Sequence, residues 1–264
     1  MRTWWAMFAA GFHRYSGYRA ATAAGAFTNT VFGVLKASVY LGAISSAGGA
    51  IAGYDAQTSV TYAWLTQALI APINVFARTE LAQRVRTGDI AIDLARPADL
   101  QLSWLASDLG RAAYVILPRG LPPLLAGWLI TGLSLPSQPL PYLLGSISVV
   151  LAVAVSAATQ FLVSLTAFWL IEVRGLITLY TAFSGLLCGH LVPVAWFPDW
   201  LRLIAALTPF PSMLQVPIDV LLGRLQGPDA LGALGVQMLW LGTMLVAGRL
   251  VLFRGTSRLV VQGG

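Results

Sequence analysis

The chain has 264 residues, of which 57% are hydrophobic and only 10% are charged, with a formal net charge of +6. Soluble domains carry about 25% charged residues, so this composition excludes an ordinary soluble protein. Nucleic-acid binding is a poor interpretation, because the basic residues form no cluster with interleaved aromatic side chains. The single cysteine, Cys188, excludes a disulfide within the chain, and no metal-ligand spacing is present.

The spacing of the charged residues leaves apolar stretches that are long enough to cross a bilayer, which takes about 20 residues. The longest, 120–171, has 52 residues without a charge and three prolines near its middle, as expected for two spans and a turn. Helices satisfy their own backbone hydrogen bonds in lipid. We therefore predict an all-α integral membrane protein, a single domain over 1–264, with six transmembrane helices at 21–45, 57–77, 112–133, 142–170, 176–195 and 230–252.

The basic residues are unevenly divided between the segments that join these spans. With both termini in the cytoplasm, 12 of the 16 basic residues fall in inner segments, Arg258 among them. Short cytoplasmic segments of membrane proteins carry such an excess of arginine and lysine. The sequence therefore predicts a multi-pass protein with both termini in the cytoplasm.

Residues 1–19 precede the first span and carry four aromatic side chains at helical spacing, Trp4, Phe8, Phe12 and Tyr15. This pattern predicts a helix that lies in the membrane interface with its aromatic face toward lipid. The alternative is an ordinary aromatic belt at the start of a span.

Lys36 is the only lysine and falls near the middle of the first span. An ammonium group in hydrocarbon costs about 3 kcal/mol or more, so this side chain should face protein or a water-filled cavity. We therefore take Lys36 as a candidate residue of a translocation path. The alternative is that its long side chain reaches the interface without a functional role.

Residues 78–111 form a charged segment between the second and third spans. Its 34 residues hold 10 of the chain's 26 charged side chains, five basic and five acidic. A segment this polar should lie in water, and its mixed signs favour a protein partner over an anionic surface. The alternative is a solvated loop.

The first part of this segment, 78–87, predicts an amphipathic helix that ends at Gly88. An i,i+4 ion pair is expected in it, and two apolar residues share one face. We interpret this part as a surface for a protein partner, formed by Arg78, Glu80, Leu81, Arg84, Val85, Arg86 and Asp89, with Glu80 and Arg84 as the ion pair and Leu81 and Val85 as the apolar face.

The rest of the segment predicts two further features. Residues 89–94 alternate, with Ile90, Ile92 and Leu94 on one side. Asp99 is expected to cap a second amphipathic helix, which leads into the third span.

Residues 193–228 contain six prolines, five of them within 193–217, and the apolar stretch between these five is too short to span a bilayer. We predict two short helices that dip into the outer leaflet, with Trp196 and Trp200 at the interface. The alternative is an apolar loop.

In this arrangement the chain resembles the permease subunits of ABC exporters of the ABC-2 class. The run 80–97, ELAQRVRTGDIAIDLARP, is similar to one branch of bacterial members. The resemblance implies that the helix at about 78–89 is a coupling helix, which docks on an ATPase subunit. It also implies that 193–217 are the re-entrant helices of that family.

The chain contains no phosphate-binding motif of the Gly-x-x-x-x-Gly-Lys-Ser/Thr type. The resemblance therefore implies a separate ABC ATPase, in two copies, which would bind ATP and magnesium, while this chain is no enzyme and needs no cofactor. It also implies a second permease, identical or homologous, in the bacterial cytoplasmic membrane and in contact with its lipid. The expected function is export of a hydrophobic or amphipathic compound, such as a drug, lipid or polysaccharide.

Two other classes remain as alternatives. A secondary transporter would require inverted repeats and carboxylates within the membrane, and neither is visible in the sequence. A membrane scaffold or an intramembrane enzyme is the other, although the spans contain too few ionisable groups for hydrolysis.

Overall fold

The computed structural model describes residues 2–76, 78–170 and 172–257. Arg258 and Ala77, the last residue of the second predicted span, lie outside these ranges. The described chain forms the helices α1 (Arg2–Ser16), α2 (Arg19–Ser46), α3 (Ala56–Ile73), α4 (Glu80–Thr87), α5 (Ile90–Leu94), α6 (Leu100–Ile130), α7 (Leu140–Leu165), α8 (Arg174–Leu187), α9 (Asp199–Ala206), α10 (Gln215–Leu221) and α11 (Gly227–Thr256). One antiparallel hairpin, β1 (Ala50–Ile51) with β2 (Tyr54–Asp55), joins α2 to α3.

Within the described ranges, four helices are long and apolar enough to cross a membrane. They are α2, α6, α7 with the 3-10 turn that extends it to Phe168, and α11. These helices correspond to the first, third, fourth and sixth predicted spans. The chain is therefore a mostly helical membrane protein.

The second and fifth predicted spans correspond to α3 and α8, which differ from the other four. Six of the 18 residues of α3 are Ser, Thr or Gln, and thirteen of its residues are buried. It is therefore surrounded by protein and needs little lipid-facing apolar surface. The 14 residues of α8 extend about 21 Å, less than the hydrocarbon core of about 30 Å. The helix ends at Leu187, and Gly189 then turns the chain with a φ of +85°.

The core is built around α3, which packs against α2, α6 and α7. The fully buried ring of Trp64 occupies the space above two glycines, Gly33 on α2 and Gly127 on α6. A Cβ atom at either glycine would overlap this ring. The Trp64 indole donates a hydrogen bond to the Thr131 hydroxyl (3.0 Å), which fixes the ring between the two helices.

The second helix of the charged segment is continuous with the third span. Asp99 accepts a hydrogen bond from the Leu102 amide (2.9 Å), so the predicted N-cap is confirmed. The helix that it begins, α6, runs without interruption for 31 residues and contains three prolines in its interior.

The prediction that residues 89–94 alternate along one side is wrong, because this stretch forms the short helix α5. Neighbouring residues in a helix are about 100° apart, so residues two positions apart diverge. Ile90 is accordingly fully buried, whereas Ile92 is 59% exposed. Gly88, with a φ of +81°, ends α4 as predicted.

The proline-rich segment forms the two short helices α9 and α10, after a 3-10 turn at Val194–Trp196. Gln215 at the start of α10 accepts hydrogen bonds from the Tyr62 hydroxyl (2.8 Å) and the Val194 amide (2.7 Å). This buried contact ties the segment to α3. Trp200 is exposed, whereas Trp196 packs against Tyr40 of α2, with ring centroids 5.1 Å apart.

Candidate functional site

The apolar face of α4 is covered by the chain itself. Leu81 and Val85 are buried in a cluster with Phe161 and Leu165 of α7, and Ile90 belongs to the same cluster. Leu81 and Val85 were predicted to contact a partner. The structure instead places them in the protein's own core, where a partner cannot reach them.

The ion pair predicted within α4 is not formed. Glu80 accepts a hydrogen bond from Arg14 of α1 (2.7 Å), and Arg84 donates one to Asp93 of α5 (2.6 Å). The hydrogen bond to Glu80 raises the pKa of Arg14, and the hydrogen bond to Asp93 raises the pKa of Arg84. These contacts attach α4 to its two neighbouring helices, so the two charges have a structural role.

The exposed residues of this region define a second face, which we call the α4–α5 face: Gln83, Arg86, Thr87, Asp89 and Ile92. The charged side chains on it form only a long contact or a local one. Arg86 lies 4.0 Å from Glu172, and Asp89 accepts a hydrogen bond from the Thr87 hydroxyl (2.7 Å). Ile92 is an exposed apolar residue among these charges. It was missed as a contact residue because the alternating pattern placed it on the same side as Ile90.

Part of the charged segment lies inside the protein rather than in water. Asp108 and Arg111 of α6 are only 2% and 4% exposed. The Arg111 guanidinium donates to Asp108 (2.5 Å) and to the carbonyls of Ala71 (2.8 Å) and Pro72 (2.7 Å). These carbonyls belong to the last turn of α3, where helical donors are missing. Arg111 therefore caps α3.

Arg78 belongs to the same buried cluster. Its guanidinium pairs with Asp108 and lies 5.3 Å from the centre of the Trp104 ring. The residue was predicted to contact a partner, but the structure directs its side chain toward α6. The i,i+3 spacing of Asp108 and Arg111 within a helix could have indicated this cluster.

A cavity of about 520 Å³ lies between α2, α3 and α6. Three arginines line it, Arg78, Arg111 and Arg119, together with Gln67. Its polar end adjoins the Asp108 cluster, and Phe32 and Phe76 form part of its apolar wall.

Lys36 faces protein, as expected for an ammonium group in a span. Its Nζ donates to the backbone carbonyl of His190 and lies 3.3 Å from Nδ1 of the same residue. His190 in turn packs edge-on against Phe76, with ring centroids 5.6 Å apart.

The long apolar helices and the buried polar contacts between them are those of a multi-pass membrane protein. A sequence profile described as ABC-2 family transporter protein matches residues 34–263, most of the chain. The chain belongs to the ABC-2 transporter family. Neither the curated proteins nor the solved structures contain a match.

Membership of this family makes the chain a membrane transport permease, which is the membrane component of a transporter and is not itself catalytic. Permeases of this family associate in general with an ABC ATPase.

Proposed function

We propose that this chain is the transmembrane subunit of an ATP-driven exporter, with the α4–α5 face as the surface that receives the ATPase. One observation carries this assignment. The apolar side of α4 is already buried in the chain, whereas Arg86, Asp89 and Ile92 remain exposed on the opposite side. Protein interfaces place apolar contacts within a polar rim, and this face offers an apolar side chain surrounded by polar and charged ones.

The proposed docking residues differ from those that the sequence suggested. Arg86 and Asp89 stay in the set, and Gln83, Thr87 and Ile92 are added to it. Leu81 and Val85 leave it because they are buried, and Arg78, Glu80 and Arg84 support α4 from within or from its sides.

The arginine distribution supports an orientation with the α4–α5 face and both termini in the cytoplasm of a bacterium. Two ATPase subunits and a second permease complete the proposed exporter. The cargo is a hydrophobic or amphipathic compound.

The test is recovery of the ATPase with this chain, tagged and expressed at native level. Replacing Arg86→Glu and Asp89→Lys together should lower the recovered ATPase about tenfold, the effect of a loss of about 1.4 kcal/mol in binding. Ile92→Ser should act in the same direction, because it removes the apolar contact.

Asp229→Lys is the matched control. Asp229 is exposed in the first turn of α11, far along the chain from α4, and should tolerate a charge reversal. Recovery of this chain without an ATPase would refute the proposal. Equal recovery with the wild type and the double variant would refute the assignment of the face.

A further inference from the structure

The cavity between α2, α3 and α6 has an excess of positive charge, because the single carboxylate beside it does not neutralise the arginines that line it. Arg78, Arg111 and Arg119 line it, and no described lining residue is acidic. Asp108 lies beside it and is shared by Arg78 and Arg111. Three arginines and one aspartate leave a formal charge of +2 in this region.

Among these three arginines, Arg119 is the one that forms no ion pair or capping contact with the described residues. Arg111 is used to cap α3, and Arg78 is paired with Asp108. The Arg119 guanidinium packs over Gly25 of α2, where a Cβ atom would overlap it. Its Nε is buried, and no hydrogen-bond partner for it is present among the described residues. The glycine thus allows a cation to lie against the helix that walls the cavity.

Two other residues that line the cavity also carry a buried donor without a partner within the described chain. Gln67 is 3% exposed, and its Nε2 is unpaired, as is the Nε of Arg78. Unpaired buried N–H groups cost free energy, so a ligand that fits here should supply acceptor atoms. Together with the positive charge, these donors favour an oxyanion.

The apolar part of the cavity wall reaches the surface of the molecule. Phe32 and Phe76 both line the cavity and are exposed. Phe32 belongs to α2, one of the membrane-crossing helices. A ligand whose charged group lies at Arg119 can therefore extend an apolar chain along these rings toward lipid.

We propose that the cavity binds the phosphate headgroup of an anionic amphiphile, with Arg119 and Gln67 as its main donors. A phosphate monoester carries a charge of about −1.5 to −2 at neutral pH, which balances the formal charge of this region. The apolar chain lies against Phe32 and Phe76. Within the proposed export function, on which this last step rests, the bound amphiphile is the cargo.

The experiment uses the purified full chain in nanodiscs of phosphatidylcholine, without an ATPase. Isothermal titration with dioctanoyl phosphatidic acid should show saturable binding, whereas uncharged dioctanoylglycerol should show none. Sodium phosphate should bind at the same site but more weakly. Phosphate that binds as tightly as phosphatidic acid would overturn the amphiphile assignment in favour of a soluble anion.

Arg119→Gln should weaken the binding of phosphatidic acid about tenfold or more, because a charge-assisted hydrogen bond is lost. Arg174→Gln removes the same charge at an exposed position on α8 and should leave binding unchanged. Gln67→Leu keeps the side-chain volume and should weaken the binding of phosphatidic acid several-fold. This second variant tests the proposed site if Arg119→Gln does not fold.

Equal affinity of the wild type and both cavity variants, or no binding of either anion, would overturn the proposal. Because no ATPase is present, such a failure is separate from the recovery experiment for the proposed function. Conversely, saturable binding here would stand even where no ATPase is recovered.

Discussion

Lys36 connects the middle of α2 to the point where α8 has ended. Its ammonium group donates to the backbone carbonyl of His190. His190 lies two residues after Cys188, the C-cap residue of α8. This carbonyl lies beyond the helix, so no N–H of α8 reaches it, and in a membrane interior water cannot replace such a donor. Lys36 therefore satisfies a backbone group that the short length of α8 leaves unpaired.

Lys36→Met should lower the stability of the purified protein by about 1–3 kcal/mol, since it leaves that carbonyl without its charged donor. Thermal unfolding in detergent measures the effect. His190→Leu is the control, because it removes the 3.3 Å contact of the imidazole with Lys36 and its edge-on packing against Phe76 but keeps the carbonyl in place. A loss from His190→Leu as large as that from Lys36→Met would contradict this role for the carbonyl.

At the scale of the elements, α1 is packed on α6 through two reciprocal glycine contacts. A Cβ atom at Gly11 would overlap the Ser107 carbonyl, and one at Gly110 would overlap the Phe8 carbonyl. Phe12 of α1 also packs against Tyr114, with ring centroids 5.5 Å apart. Part of the aromatic face of α1 is thus directed at α6.

Gly110→Ala should displace α1 from α6, because the two backbones can no longer approach. The expected results are a lower unfolding temperature and faster proteolysis within α1. Gly235→Ala in α11 is the control, since its Cβ meets no atom within 4 Å, and alanine is favoured over glycine in a helix by about 1 kcal/mol. If Gly110→Ala behaves like Gly235→Ala, the close approach of α1 and α6 is refuted.

Features that depend on local chemistry could be predicted from the sequence. The N-cap at Asp99, the C-cap at Gly88 and the amphipathic helix between 80 and 87 each rest on a few neighbouring residues. The short helix α5 was missed, because five residues with alternating polarity fit a strand as well as one turn of helix.

Features that depend on which faces meet could not be predicted. Glu80 pairs with Arg14, which is 66 positions away in the sequence, and this contact replaces the local pair with Arg84. The cavity likewise depends on how α2, α3 and α6 pack. The sequence contains Arg119 and Gln67 but does not show that they share a wall.

At the scale of the whole molecule, the charged segment joins helices that are far apart in the chain. Arg14–Glu80 links α1 to α4, and Arg249–Asp99 links α11 to α6. Between these exposed pairs, Asp108 accepts from both Arg78 and Arg111 in the interior. The segment is therefore an internal brace as well as a surface.

The loss of an exposed pair and the loss of the buried pair should change the free energy of unfolding by different amounts. An exposed ion pair contributes about 0–1 kcal/mol, whereas removing one partner of a buried pair costs about 3–5 kcal/mol because a buried charge is left alone. Asp108 and Arg111 are the buried case, and Glu80 with Arg14 is the exposed one.

Asp108→Asn should therefore destabilise the protein by about 3–5 kcal/mol, since the buried guanidinium of Arg111 and the partly buried one of Arg78 lose their carboxylate. The end of α3 should loosen as well, because Arg111 caps it. Thermal unfolding and amide hydrogen exchange at Ile70, Ala71 and Ile73 measure the two effects. Glu80→Gln, which removes a carboxylate from the exposed pair, should cost no more than about 1 kcal/mol. Similar unfolding temperatures for Asp108→Asn and Glu80→Gln would show that the buried cluster does not brace the helices.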